Sequence, residues 1–117
     1  MPKILWQPDA ERIRSSNLAR FCKQSRLTPG GQIDYGALHR MSVDQPERFW
    51  PAVWDFCGVR AQTRGETPLA DGGSMRGARF FPQARLNFAE NILRGDDGFT
   101  AIIFQPETGD RMSWTMG

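Results

Sequence analysis

His39 is the single histidine, and a general base built on it needs a Ser, Cys or carboxylate at relay spacing. It follows Leu38 on a helix-like stretch without such a neighbour, so a polar helix residue is the expected role. Asp96 and Asp97 form an adjacent acid pair, but they sit between Gly95 and Gly98 with no third ligand at calcium-loop spacing. An exposed turn is expected there. Pro29-Gly30-Gly31 and Asp71-Gly72-Gly73-Ser74 could turn backbone amides toward a phosphate. Neither carries the following Lys of a Walker loop nor the spacing of a dinucleotide fingerprint, and both read as loops. Arg76, Arg79 and Arg85 make a local positive group able to meet a phosphate through charge-assisted contacts. The preferred reading has them covering aromatic surface and pairing with acids such as Glu90. Cys22 and Cys57 have no second Cys or His at metal spacing and are expected to be reduced, packed thiols. No residue is therefore assigned as catalytic, cofactor-binding or metal-ligating.

The chain has 117 residues, room for one modest domain. Fifteen Lys and Arg against thirteen Asp and Glu give a formal charge of +2, read as too small and dispersed for a nucleic-acid face. Pairs such as Glu11-Arg12 and Glu47-Arg48 interleave the signs as solvated helix faces do. A hydrophobic share of 39% argues against disorder and for a packed core. Met1 to Trp6 lack the apolar run of a secretory signal, and no stretch reaches membrane-spanning length. A cytoplasmic location without membrane contact is expected.

The elements that would position these residues begin with a helix over 8–21, with Asp9 and Glu11 at its positive end and Ala10, Ile13 and Phe21 on one face. Asp34 is a plausible cap for a short helix through Arg40. Asp44 with Glu47 fits a capping box for the next helix. Its stripe of Phe49, Trp50, Val53, Trp54 and Cys57 is read as core rather than a partner site, with Trp50 buried and Gly58 as the stop. Pro51 lies inside that helix and should kink it or delay its start. The segment 59–77 reads as a surface loop, 78–81 as a short strand, and Asn87 with Glu90 as the start of a helix ending near Arg94. Thr100 to Phe104 and Arg111 to Trp114 read as a hairpin. The expected class is α+β: several amino-terminal helices, a short helix and an antiparallel hairpin, divided as helical 1–58, loop 59–77 and the start of an α/β part at 78–117.

Two blocks carry more than local structure. Ser-Val-Asp-Gln-Pro-Glu-Arg-Phe-Trp-Pro-Ala-Val-Trp at Ser42 to Trp54, and Ala-Arg-Leu-Asn-Phe-Ala-Glu-Asn at Ala84 to Asn91, together resemble the amino-terminal region of acetoacetyl-CoA synthetases. These enzymes belong to the adenylate-forming acyl-CoA ligase superfamily. Glu11-Arg12-Ile13 with Asn17 to Phe21, Asp34-Tyr35 with Leu38-His39-Arg40, and Ala101 to Phe104 extend the likeness over most of the chain. It departs at Met41 and Phe80, where Trp is expected, at Gln83, where Gly is usual, and at Pro51. The resemblance implies a parent that activates acetoacetate with ATP and magnesium and passes the acyl group to CoA. The phosphate loop ending in Pro-Lys, the ribose-binding acid and the catalytic Lys of the family have no counterpart between Met1 and Gly117. A scaffold role is implied, with partners being the remainder of the parent domain or a second copy. An interaction module derived from the same scaffold, or a ligase for acetate or another short acid, remain alternatives.

Overall fold

The computed structural model describes residues 5–117. Its amino-terminal half is helical: α1 (Ala10–Ser15), α2 (Asn17–Ser25), a 3-10 turn at Pro29–Gly31, α3 (Tyr35–Asp44) and α4 (Pro46–Cys57). Two short antiparallel ribbons follow, β1 (Leu69–Ala70) with β2 (Arg79–Phe80) and β3 (Thr100–Phe104) with β4 (Met112–Thr115), separated by α5 (Phe88–Ile92). This is the α+β arrangement expected from the sequence.

The single helix expected over 8–21 is two helices, and Ser16 is the reason. Its extended backbone breaks the spiral (φ −66°, ψ 153°), its hydroxyl donates to the Ile13 carbonyl at 2.7 Å, and its oxygen accepts from the Ala19 N–H at 3.1 Å. One serine thus closes α1 and caps α2, the competition with helical bonding that Ser side chains offer. Ile13 consequently leaves the Phe21 face and lies exposed. Asp9 caps α1 through Arg12 N–H, and Asp34 caps α3 through Ala37 N–H, both at carboxylate oxygens. α3 then runs on to Asp44, past the expected end at Arg40.

The capping box expected at Asp44 and Glu47 does not form, because α3 has already claimed Asp44 as its last residue. Gln45 takes the cap position without a side-chain bond, and Pro46 opens α4 where its missing N–H costs nothing. α4 passes through Pro51 as one unbroken helix, giving up one intrahelical bond. Gly58 ends it in the left-handed region at φ 59°, with Val59 N–H reaching back to the Trp54 carbonyl at 3.1 Å.

The helices close one small core. Phe21, Cys22 and Leu38 are buried, with Leu18, Leu27, Phe49, Ala52, Val53 and Phe56 packed against them. Phe21 meets the Phe49 and Phe56 rings edge-on, centroids 5.9 and 5.2 Å away. Gly31 lays the 3-10 turn on α2: a Cβ there would stand 3.2 Å from Lys23 Cα, and its φ is +68°.

Part of the segment read as loop is strand. Leu69 pairs with Phe80 and Ala70 with Arg79, and an isolated bridge joins Thr63 to Arg85. Gln83, where the resembled family favours Gly, uses its side chain here: Oε1 accepts from the Thr67 N–H at 3.1 Å. Asn87 caps α5 by accepting from Ala89 and Glu90 N–H. α5 stops at Ile92, short of Arg94. The hairpin registers Ile102 opposite Trp114 and Phe104 opposite Met112, with a bulge between Thr100 and Ile102.

Candidate functional site

α4 presents two faces rather than one stripe. Phe49, Ala52, Val53 and Phe56 turn to the helical core, while Trp50 and Trp54, four residues apart, turn to the β2 region. Trp50 meets Phe80 at 5.4 Å, and Trp54 meets Phe81 at 4.7 Å. The Arg64 guanidinium lies 5.6 Å from both the Trp54 and Phe81 rings and pairs with Asp55 at 2.8 Å. Phe81 is held at φ +46°, a conformation costly for an aromatic residue, and its N–H donates to the Pro68 carbonyl. This clamp fixes α4 to the following segment. Trp50 keeps 38% of its surface exposed, so the expectation of a buried Trp50 is corrected, as is that of a packed thiol at Cys57. Cys57 points away from the core that holds Phe56.

Asn91 forms a second joint. Its Oδ1 accepts from Arg60 N–H and its Nδ2 donates to the Arg60 carbonyl, both at 2.8 Å, as a paired strand residue would. Arg94 donates to Asn91 Oδ1 and, at 3.3 Å, to the Cys57 carbonyl, which the end of α4 leaves without a helical partner. Arg64 did not stand out in the sequence, and Asn91 did so only as the end of the Ala84 to Asn91 block and without this role, because their partners lie in loops whose course no periodicity encodes.

The residues with candidate chemistry are scattered. His39 stacks on Tyr35 at 6.3 Å, and the nearby Ser42 hydroxyl donates to the His39 backbone carbonyl rather than to its ring. Asp96 and Asp97 stand exposed in a turn whose carbonyls accept from Phe99 and Gly117 N–H. Arg79 pairs with Asp71 at 2.7 Å, which closes the Asp71-Gly72-Gly73 turn. Arg85 joins the Thr63 bridge through its backbone and lines a shallow cleft with Gln62, Leu86, Asn87 and Glu90, without Arg76 or Arg79. The expected pairing with Glu90 is absent among the described ion pairs. Among the described residues no group of three or more His, Cys, Asp and Glu could hold a metal ion.

The chain does not bury its apolar residues as a closed domain does. Its accessible surface is 9789 Å², where about 6,500 Å² is usual for this mass. Its radius of gyration is 19.5 Å, against roughly 13 Å for a compact domain of this length. Phe88, Ile92 and Leu93 on and after α5, and Phe99, Ile102, Ile103, Phe104, Met112 and Trp114 in and beside the hairpin, are all exposed. Successive residues Ala101, Ile102, Ile103 and Phe104 point to alternating faces, so both faces of β3 are apolar. Strands with that pattern are ordinarily covered on both sides. What the structure leaves open is therefore an apolar surface along α5 and the hairpin. No described helix is long and apolar enough to cross a membrane.

Comparison with known proteins gives this surface a setting. The family described as acetyl-coenzyme A synthetase N-terminus matches residues 35–92. An acetoacetyl-coenzyme A synthetase of Rhizobium meliloti (strain 1021) is 43% identical over 96% of this chain, which spans 17% of that protein. A malonamoyl-CoA synthetase of Penicillium aethiopicum is 33% identical over 93% of the chain and 16% of its own length. The solved acetoacetyl-CoA synthetase of Streptomyces lividans superimposes with a TM-score of 0.86 at 38% identity, over 98% of this chain and 18% of that one. The chain thus spans less than a fifth of the relatives it matches.

Proposed function

Because the chain is homologous to the amino-terminal region of acetoacetyl-CoA synthetases, in the adenylate-forming acyl-CoA ligase superfamily, we propose that it is the scaffold segment of such a ligase. The parent reaction would join acetoacetate to the CoA thiol, with ATP consumed to AMP and pyrophosphate through an acyl-adenylate. The observation that carries the reading is the superposition of nearly the whole chain on 18% of a solved synthetase, with its apolar hairpin and α5 left bare. Residues 1–117 act as one segment, whose helical part at 1–58 anchors the loop at 59–77 and the first strands at 78–117. Its partner is the rest of the ligase, which covers β3 and α5; a second copy is the substitute when that cover is absent.

ATP, magnesium and CoA belong to that parent chemistry, and the described residues offer magnesium no cluster of ligands. The Asp71-Gly72-Gly73 turn, one of the two that could face a phosphate, is closed by the pairing of Asp71 with Arg79. No step of the reaction is therefore assigned to a residue here, and catalytic, cofactor-binding and metal residues are proposed to lie outside the chain. A cytoplasmic setting follows from the substrates of such a ligase. A parent acting on a different short acid is favoured by one observation, the malonamoyl-CoA synthetase among the relatives.

Acetoacetate-dependent pyrophosphate release by the purified chain, alone and mixed with the separately produced remainder of a homologous synthetase, tests the reading. The chain alone is expected to be inactive, and the mixture to gain activity. Release by the chain alone, abolished by substitutions within it, would overturn the proposal.

A further inference from the structure

The net charge of +2 conceals an uneven distribution. Arg12, Arg14, Arg20, Lys23 and Arg26 fall between Arg12 and Ile33 with no Asp or Glu among them, unlike the interleaved charges elsewhere. The fold gathers most of them at two adjoining clefts. One, of about 670 Å³, is lined by Lys23, Arg26, Thr28 and the Pro29-Gly30-Gly31 turn. The other, of about 720 Å³, is lined by Arg14, Arg20, Lys23, Gly30, Gly31 and Gln32. Lys23, Gly30 and Gly31 belong to both, and no carboxylate lines either.

Two further observations set this surface apart from a solvated helix face. The described ion pairs are Arg64 with Asp55 and Arg79 with Asp71, so none of the four cations in these clefts is neutralised by a carboxylate. Arg26, moreover, closes α2 in the left-handed conformation at φ 52°, the position where helices favour glycine. A charged side chain there carries a backbone cost that glycine would avoid. Such local strain is a mark of functional positions.

We propose that the paired clefts around Lys23 bind a small anion bearing more than one phosphate group, with Arg14 and Arg20 on one side and Arg26 on the other. Guanidinium groups match phosphate oxygens in forked, charge-assisted pairs, and Lys23 supplies the shared charge between the clefts. At Gly30 the turn leaves the approach open: a Cβ there would meet only the Gln32 side chain, at 3.8 Å. This site is independent of the ligase reading, since none of its residues takes part in the apolar surface at β3 and α5.

Titration of inorganic pyrophosphate into the full chain, followed by amide chemical shifts, is the test. Saturable shifts confined to the segment 14–33 are expected, with orthophosphate binding at least tenfold more weakly because it cannot reach both clefts. Arg26→Gly removes one cation and relieves the backbone, so affinity should fall about tenfold, the scale of one charge-assisted bond, without a lower melting temperature. Lys23→Gln should weaken pyrophosphate further than Arg26→Gly does, and Arg76→Gln, remote from both clefts, should leave it unchanged. Non-saturating shifts, equal affinity for the two anions, or equal weakening by Arg76→Gln and Arg26→Gly would overturn the proposal. A nucleoside triphosphate binding more tightly than inorganic triphosphate would also overturn it, by showing that a base rather than the phosphates is recognised.

Discussion

Replacing Phe21 with alanine tests where the stability of this chain resides. Phe21 is 7% exposed and lies at the centre of the helical core, touching Phe49 from α4 at 5.9 Å and Phe56 at 5.2 Å. Truncating a buried phenylalanine costs about 3–5 kcal/mol, including the cavity left behind. Whole domains hold only about 5–15 kcal/mol, and a core built on Phe21, Cys22 and Leu38 places this one at the lower end. Trp50 is the more conspicuous aromatic in the sequence, but it keeps 38% of its surface in water. Its truncation should therefore cost only about 2–3 kcal/mol, scaled by the area it buries. Urea unfolding followed by far-ultraviolet circular dichroism separates the two. With a slope of about 1–2 kcal/mol per molar, Phe21→Ala should lower the midpoint by roughly 2–4 M or abolish the transition, and Trp50→Ala by roughly 1–2 M. A Trp50→Ala midpoint falling as far as that of Phe21→Ala would refute the placement of the core between α2 and α4.

Gly65→Ala should destabilise by about 1–3 kcal/mol in the same assay, because φ is +80° and the new methyl would stand 2.6 Å from Gln83 Cβ. Asn91→Ala should remove hydrogen-exchange protection from the Arg60 amide, while the amides within α2 keep theirs. The isolated chain should self-associate through its apolar hairpin and α5, with little dependence on salt. Sedimentation at several concentrations and two ionic strengths checks this, and a compact monomer throughout would contradict it.

The helical half was legible where a periodic pattern and a local cap coincide. Asp34, Gly58 and Asn87 sit in the cap positions that their side chains or their lack of one suggest. Ser16 and Asp44 mark the limit. A serine inside a long helical pattern can sit outward or stop the spiral, and nothing local decides which. Asp44 can start one helix or end another, and the fold used it as an end. β2 lies within the strand expected at 78–81, but its partner β1 escaped notice because two residues carry no alternation, and the two are joined through a turn closed by Asp71 and Arg79. The apolar surface was visible in composition, since Thr100 to Phe104 is an uncharged β-prone run. The basic clefts were missed because the near-neutral total averaged the cations of α1 and α2 against acids that lie elsewhere.

The bare hairpin also sets a timetable. The helical core is closed by neighbours in sequence, from α2 through α4, and contacts of that range form quickly once the chain emerges. β3 finds its partner β4 as early, but no described residue covers the faces of that hairpin. The 113 matched residues are 17% of the Rhizobium relative, so a polypeptide of that length has about 550 residues still to be made when Gly117 leaves the ribosome. At about 5–20 residues per second that takes roughly half a minute to two minutes, and Thr100 to Phe104 stays uncovered until the segment that packs on it has been made. An uncharged, β-prone segment exposed in that interval is a natural substrate for a chaperone.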